Sequence, residues 1–179
     1  MDIIDKEFDG DRKNKLADMY SYFEERMMLM PASSFEHYHN CFAGGYVDHV
    51  IRVITIASEL YETWNRLGSD CNGYTREELI FAALNHDLGK VGDKEYAMYQ
   101  PNPSDWHRKN QGKLYEFNPN ISFMSVPDRS ILLLQEFDIK ISQNEFMGIK
   151  LHDGLYDDGT VPYFRAIRPE SRLRVNLPI

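Results

Sequence analysis

The chain is short of the residues that would make it a disulfide scaffold, a nucleic-acid clamp or a membrane protein. It has 2 cysteines among 179 residues, Cys41 and Cys71. That is too few for a disulfide framework and fits a reducing compartment. Lys and Arg number 20 against 28 Asp and Glu, for a formal net charge of −8. A broad grip on duplex nucleic acid needs clustered positive charge, so that function is disfavoured. A small anionic substrate is not, because a bound cation can reverse the field locally. No apolar run reaches the ~18–20 residues of a membrane span. The first fifteen residues, MDIIDKEFDGDRKNK, are too polar for a signal peptide, which makes a cytoplasmic protein the expectation. Repeats, low-complexity tracts and linkers are also missing, so one domain over 1–179 is expected. Nothing in the residues speaks to oligomeric state.

What is present is helical spacing. Hydrophobic residues make up 42% and charged residues 27%, the balance of an ordinary globular chain. Leu16, Met19, Tyr20, Phe23, Met27 and Met30 recur at helical intervals up to Pro31. The three late methionines, Met27, Met28 and Met30, read as core filler. Ser33 or Ser34 is placed to cap a short helix that breaks at Gly44-Gly45. Val50, Val53, Ile54, Ala57, Leu60, Tyr61 and Trp64 form the stripe of a long helix that Gly68 stops. Thr75 and Glu78 have capping-box spacing before Leu79, Ala82, Ala83 and His86. A helix with Pro127 in its first turn follows, then another between Ser142 and Gly154, with Ser142 and Glu145 as a second capping box. The tail shows no helical pattern until its last residues.

Residues 91–126 differ. They are rich in Pro, Asn, Gly and aromatics and predict a long irregular insertion with room for a short β-hairpin. The expected fold is all-α, five or six helices with this one interruption.

An apolar helix that finishes on "LNHDLGK" raises a chemical question. His49 lies one turn into the long helix, and His86 and Asp87 end the next. Two neutral imidazoles and a carboxylate are a divalent-metal donor set. Adjacent helical positions diverge by ~100°, so His86 and Asp87 converge only where the helix opens. Gly89 is the residue expected to open it. A lone histidine on an apolar face is more often a hydrogen-bonded core residue; the combination is what carries weight.

"HYHNCFAGGYVDHVIRV", "HDLGK" and the later "IKLHDG" together resemble the HD-domain metal-dependent phosphohydrolase superfamily. The nearer likeness is to the subgroup of phages, plasmids and bacterial three-prime exoribonucleases, over roughly residues 35–155. The resemblance implies a compact HD-domain helical bundle. It makes His49, His86 and Asp87 ligands of a divalent ion such as Mn, Fe, Co, Zn or Mg. It gives Lys90 a substrate phosphate to contact or Asp87 to orient, and it puts His39 and His152 at an outer site as second ligands or acid–base groups. Two departures favour one metal over two. The last family ligand is an Asp on a helix beyond the second His block, and Asp153, Asp157 and Asp158 lie too close to that block to replace it. Many relatives also carry a His about three residues before an Arg-Ser pair, where Val126 stands here.

The expected function is hydrolysis of a nucleotide or nucleotide-like phosphoester by metal-activated water. Lys90 and Arg129 are candidates to stabilise developing charge, and His39 or His152 to act as general acid. In the insertion, Trp106, Tyr115 and Phe117 offer stacking faces, and His107, Arg108, Lys109 and Lys113 offer charge. Trp106, His107, Lys109 and Lys113 are the substrate-binding candidates. The alternatives are a degenerate HD domain that binds a nucleotide or a protein without catalysis, and a di-iron HD-type oxygenase.

Overall fold

The computed structural model describes residues 2–68 and 73–165. Cys71 and the last part of the tail, for which a late helix was anticipated, lie outside the described residues. The fold is all-α with one small antiparallel hairpin.

Helix α1 (Asp2–Glu7) leads into α2 (Gly10–Leu29). The stripe of α2 buries Leu16, Met19, Phe23 and Met27, and Tyr20 is half-buried beside them. Pro31 cannot continue the ladder, and α2 stops two residues before it. Met27 and Met30 enter the core as expected, but Met28 is 60% exposed, because it falls on the flank of the stripe. Residues 31–44 form turns and not the expected short helix. The Ser33 hydroxyl donates to the His39 carbonyl at 2.8 Å instead of capping a helix. Phe35 bridges across to Lys113.

Helix α3 (Gly45–Arg66) starts from Gly44, whose φ of 84° is a left-handed entry. Val50 and Ile54 are buried, and Val53, Ala57, Tyr61 and Trp64 are half-buried. Leu60 departs from the expected stripe and is exposed. Helix α4 (Arg76–Asn85) opens on the Thr75–Glu78 capping box, both of whose hydrogen bonds form. Every residue from Leu79 to Asn85 is buried, so α4 is the central helix, enclosed by α3 and its other neighbours. Phe8 meets Phe81 edge-on at 5.9 Å, and the Arg12 guanidinium sits 3.9 Å over the Phe81 ring.

A 3-10 turn, Leu88–Val91, follows α4. The expected insertion then contains strands β1 (Tyr99–Pro101) and β2 (Tyr115–Phe117), paired antiparallel with Tyr99 opposite Phe117. Between them stands α5 (Asp105–Gln111). It was not anticipated, because its residues are mostly polar and show no apolar stripe. Ser104 caps it through the His107 N–H. Helix α6 (Val126–Glu136) has Ser125 as cap and Pro127 in its first turn. Helix α7 (Gln143–Lys150) carries the second capping box, Ser142–Glu145. It ends short of Gly154, which opens a further 3-10 turn at a φ of 57°. Helix α8 (Val161–Phe164) is one turn long. The described residues thus form eight helices, α1, α5 and α8 being too short to show in the periodicity.

The two capping boxes are fused. The Ser142 hydroxyl donates to Glu78 Oε1 at 2.6 Å and the Asn144 amide to Glu78 Oε2 at 3.1 Å. This fastens the N-termini of α4 and α7 together. Their far ends, which lead into His86 and His152, consequently arrive side by side.

Candidate metal centre

His49 projects from the first turns of α3 and His86 from the end of α4. His86 is the C-cap of that helix and Asp87 the residue after it, with φ −103° and ψ 9°. The backbone turns out of α-helical geometry there, so two adjacent side chains reach one point. Gly89 does not open the turn as expected. Its φ is not positive, and its role is close approach: a Cβ would run into the Val126 carbonyl oxygen. Glycine lets α6 pack directly on the turn.

The ligand atoms converge. His49 Nε2 lies 3.1 Å from His86 Nε2 and 3.2 Å from Asp87 Oδ2, and His86 Nε2 lies 3.4 Å from the same oxygen. Donors bound at about 2.0–2.2 Å to one ion, at tetrahedral or octahedral angles, stand about 3.0–3.5 Å apart. All three side chains form the one metal-competent cluster of His, Cys, Asp and Glu among the described residues. The tautomer is also right. His86 Nδ1 faces the Ala83 carbonyl at 2.8 Å, and a carbonyl only accepts. Nδ1 therefore carries the proton and Nε2 keeps its lone pair, the arrangement that orients a metal-binding imidazole. The donor set fits a divalent cation.

Asp87 is 3% exposed. Burial opposes its ionisation, but hydrogen bonds with His152 and His49 and the charge of Lys90 outweigh it, holding its carboxyl well below the usual range. Lys90 Nζ donates to Asp87 Oδ2 at 2.7 Å. His152 Nε2 stands between two carboxylates, 3.5 Å from Asp87 Oδ1 and 3.4 Å from Asp153 Oδ1. Its Nδ1 faces the Ile149 carbonyl at 2.8 Å. Burial opposes protonation of this ring, yet the Asp87 hydrogen bond and the charges of Asp87 and Asp153 raise its pKa above the ordinary histidine value. His39 is exposed on the rim, its ring 4.7 Å from that of His49. Partial burial and the neighbouring His49 and Lys90 lower its pKa.

Six of the anticipated residues, His39, His49, His86, Asp87, Lys90 and His152, therefore line one cavity of about 370 Å³. Others do not join them. Arg129 is buried, but its Nη2 donates to the Ser122 carbonyl at 2.6 Å and it is not among the cavity-lining residues. Trp106, His107 and Lys109 are exposed on α5, outside the lining. Lys113 is also outside the lining, its ammonium 5.9 Å from the Phe35 ring centroid. Tyr115 is half-buried, and Phe117 is exposed with its ring stacked on Tyr99 at 5.4 Å.

Three contributors escaped the sequence reading as site residues. Asp153 lies too near the second His block to be the last family ligand, yet it faces His152 Nε2 at 3.4 Å. Ser130 is wholly buried and accepts the Gly89 N–H at 2.7 Å. Its signal was available: a small polar residue on the apolar face of a helix, four after Val126. Tyr20 steadies the end of α4 by donating to the Leu84 carbonyl at 2.9 Å. No helix of the described residues is long and apolar enough to cross a membrane. Searches of protein-family models, curated proteins and solved structures return no match to the chain.

Proposed function

We propose that the chain is a metal-dependent phosphohydrolase of HD-domain type, with His49, His86 and Asp87 as the ligands of one divalent ion. The observation that carries this reading is the 3.1–3.4 Å triangle of His49 Nε2, His86 Nε2 and Asp87 Oδ2. A divalent cation bound there supplies Lewis acidity, lowering the pKa of a bound water and neutralising a phosphoryl oxygen.

The chain's own residues do the rest. The Ala83 carbonyl keeps the His86 lone pair turned inward. Lys90, on the cavity wall, places a positive charge where phosphoryl oxygens gather. His152, whose protonated form Asp87 and Asp153 favour, is placed to give its Nε2 proton to the leaving oxygen as the P–O bond breaks.

The acidic overall charge and single cluster favour a small phosphoester over duplex nucleic acid. The nucleotide preference drawn from the insertion has less support, since Trp106, His107 and Lys109 lie outside the cavity lining. One observation favours binding without catalysis: the Lys90 ammonium sits on the same Asp87 oxygen that an ion requires. A di-iron oxygenase needs a second full ligand set, and the described residues hold one cluster of three.

Metal analysis and a phosphate-release screen decide among these. About one equivalent of Mn, Fe, Co or Zn, with activity abolished in His86→Ala and Asp87→Ala, is the expected result. Two irons per chain would indicate the oxygenase, and no metal would indicate the binder. Activity surviving both substitutions would sink the site.

A further inference from the structure

Three helical rows meet at the cavity, and each runs from a histidine to small or aliphatic side chains. On α3 the row is His49, Val53 and Ala57, at four-residue steps. On α4 it is His86, then Ala83 and Ala82, then Leu79. One turn before His152 on α7 stands Gly148. All of these line the same cavity of about 370 Å³. Residues four apart stack along one helix face, so the rows carry the cavity away from the ligand cluster along the helices.

The cavity is thus two-ended. One end presents imidazoles, the Asp87 and Asp153 carboxylates and the Lys90 ammonium. The other presents methyl and methine groups on helices whose backbone amides and carbonyls are already paired. Among the described residues, the apolar end offers no side-chain donor or acceptor.

Gly148 sharpens the point. It lies inside α7, and its φ is not positive. The backbone therefore does not require glycine there, and glycine weakens a helix relative to alanine. Gly148 lines the cavity without adding a side chain to it. Lys90 is the one ammonium or guanidinium among the lining residues, and the Asp87 and Asp153 carboxylates line the cavity with it, which leaves too little positive charge for a polyphosphate.

Resting on the hydrolase reading, we infer that the substrate is a phosphate monoester of a small apolar alcohol. The phosphoryl group lies at the His–Asp end, and the alkyl or unsubstituted aryl group lies against Val53, Ala57, Leu79, Ala82 and Gly148. A nucleobase gains less there than an alkyl group, because the apolar lining offers its polar edges no side-chain partner. Hydrolysis forms a bond from water oxygen to phosphorus and breaks the ester P–O bond. The departing oxygen takes one proton and leaves as the neutral alcohol.

The test is titration calorimetry of the Mn²⁺-supplemented protein with methyl-, propyl-, hexyl- and phenylphosphonate and with AMP, alongside phosphate release from the matching monoesters. Affinity is expected to rise about fourfold per added methylene until the hollow is full, with hexyl- and phenylphosphonate above AMP. Gly148→Leu is expected to level the series, bringing hexylphosphonate down to the affinity of methylphosphonate. Gly148→Ala, which favours the helix and guards against misfolding, gives a smaller reduction, and a thermal melt checks both folds. A flat series, AMP binding tightest, or an unchanged series in both variants overturns the inference. Phosphate release from AMP with no apolar preference would overturn it while leaving the hydrolase reading intact. Chain-length-dependent binding with no phosphate release from any ester would uphold the two-ended cavity and overturn hydrolysis alone.

Discussion

The backbone N–H of Gly89 donates to the hydroxyl of Ser130 at 2.7 Å, and that hydroxyl lies 3.2 Å from the His86 carbonyl. One buried side chain on α6 thereby fastens the turn that follows Asp87, its own hydrogen shared between the His86 carbonyl and the Val126 carbonyl at 3.0 Å. Ser130→Ala leaves the Gly89 N–H buried without a partner, at a cost of about 1–3 kcal/mol. Loss of this support is expected to weaken divalent-metal affinity about tenfold. Urea unfolding and a Zn²⁺ titration read the two effects separately, and unchanged metal affinity would deny Ser130 its positioning role.

Lys90 donates to Asp87 Oδ2, the oxygen that the proposed cation would use. In Lys90→Met the buried carboxylate loses its ammonium but keeps its histidine partners, which is expected to destabilise the metal-free protein by about 1–3 kcal/mol. Added Mn²⁺ or Zn²⁺ should then raise the melting temperature more in the variant than in the parent chain, since nothing competes for the oxygen. Equal shifts in the two proteins would place the ion elsewhere.

Glu78 joins the starts of α4 and α7. Burial opposes its ionisation, but hydrogen bonds from Ser142, Thr75 and Asn144 outweigh it and lower its pKa. A folded pKa below the unfolded one means stability that is fully present above the ordinary carboxylate value and lost as pH falls through the folded value. Glu78→Gln is expected to cost about 0.5–2 kcal/mol at pH 7. The gap between the two proteins should narrow as pH drops below about 4. Denaturant titrations at several pH values measure it, and a gap that widens in acid would contradict the assignment.

Phe81 is wholly buried under Phe8 and the Arg12 guanidinium. Phe81→Ala is expected to cost about 3–5 kcal/mol, a large share of a domain's typical ~5–15 kcal/mol. Calorimetric melting would show the loss, and a cost under about 1 kcal/mol would mean that α4 is not the centre of the core.

Much of this protein was legible before folding because its signals are local. The capping boxes Thr75–Glu78 and Ser142–Glu145 and the stripe of α2 are each set by residues within a few positions of one another, where helix geometry alone dictates who meets whom. The candidate donors His49, His86 and Asp87 stood out for the same reason, as polar groups ending or flanking apolar helical faces. Tertiary structure decided the rest, because it depends on partners far along the chain. It alone turned Gly89 from a supposed hinge into a contact surface for Val126, carried Arg129 away to the Ser122 carbonyl, and left Trp106 outside the cavity lining. The convergence of two imidazoles and a carboxylate on one point needed α3 and the end of α4 packed at a fixed offset, which no spacing along a single chain can state.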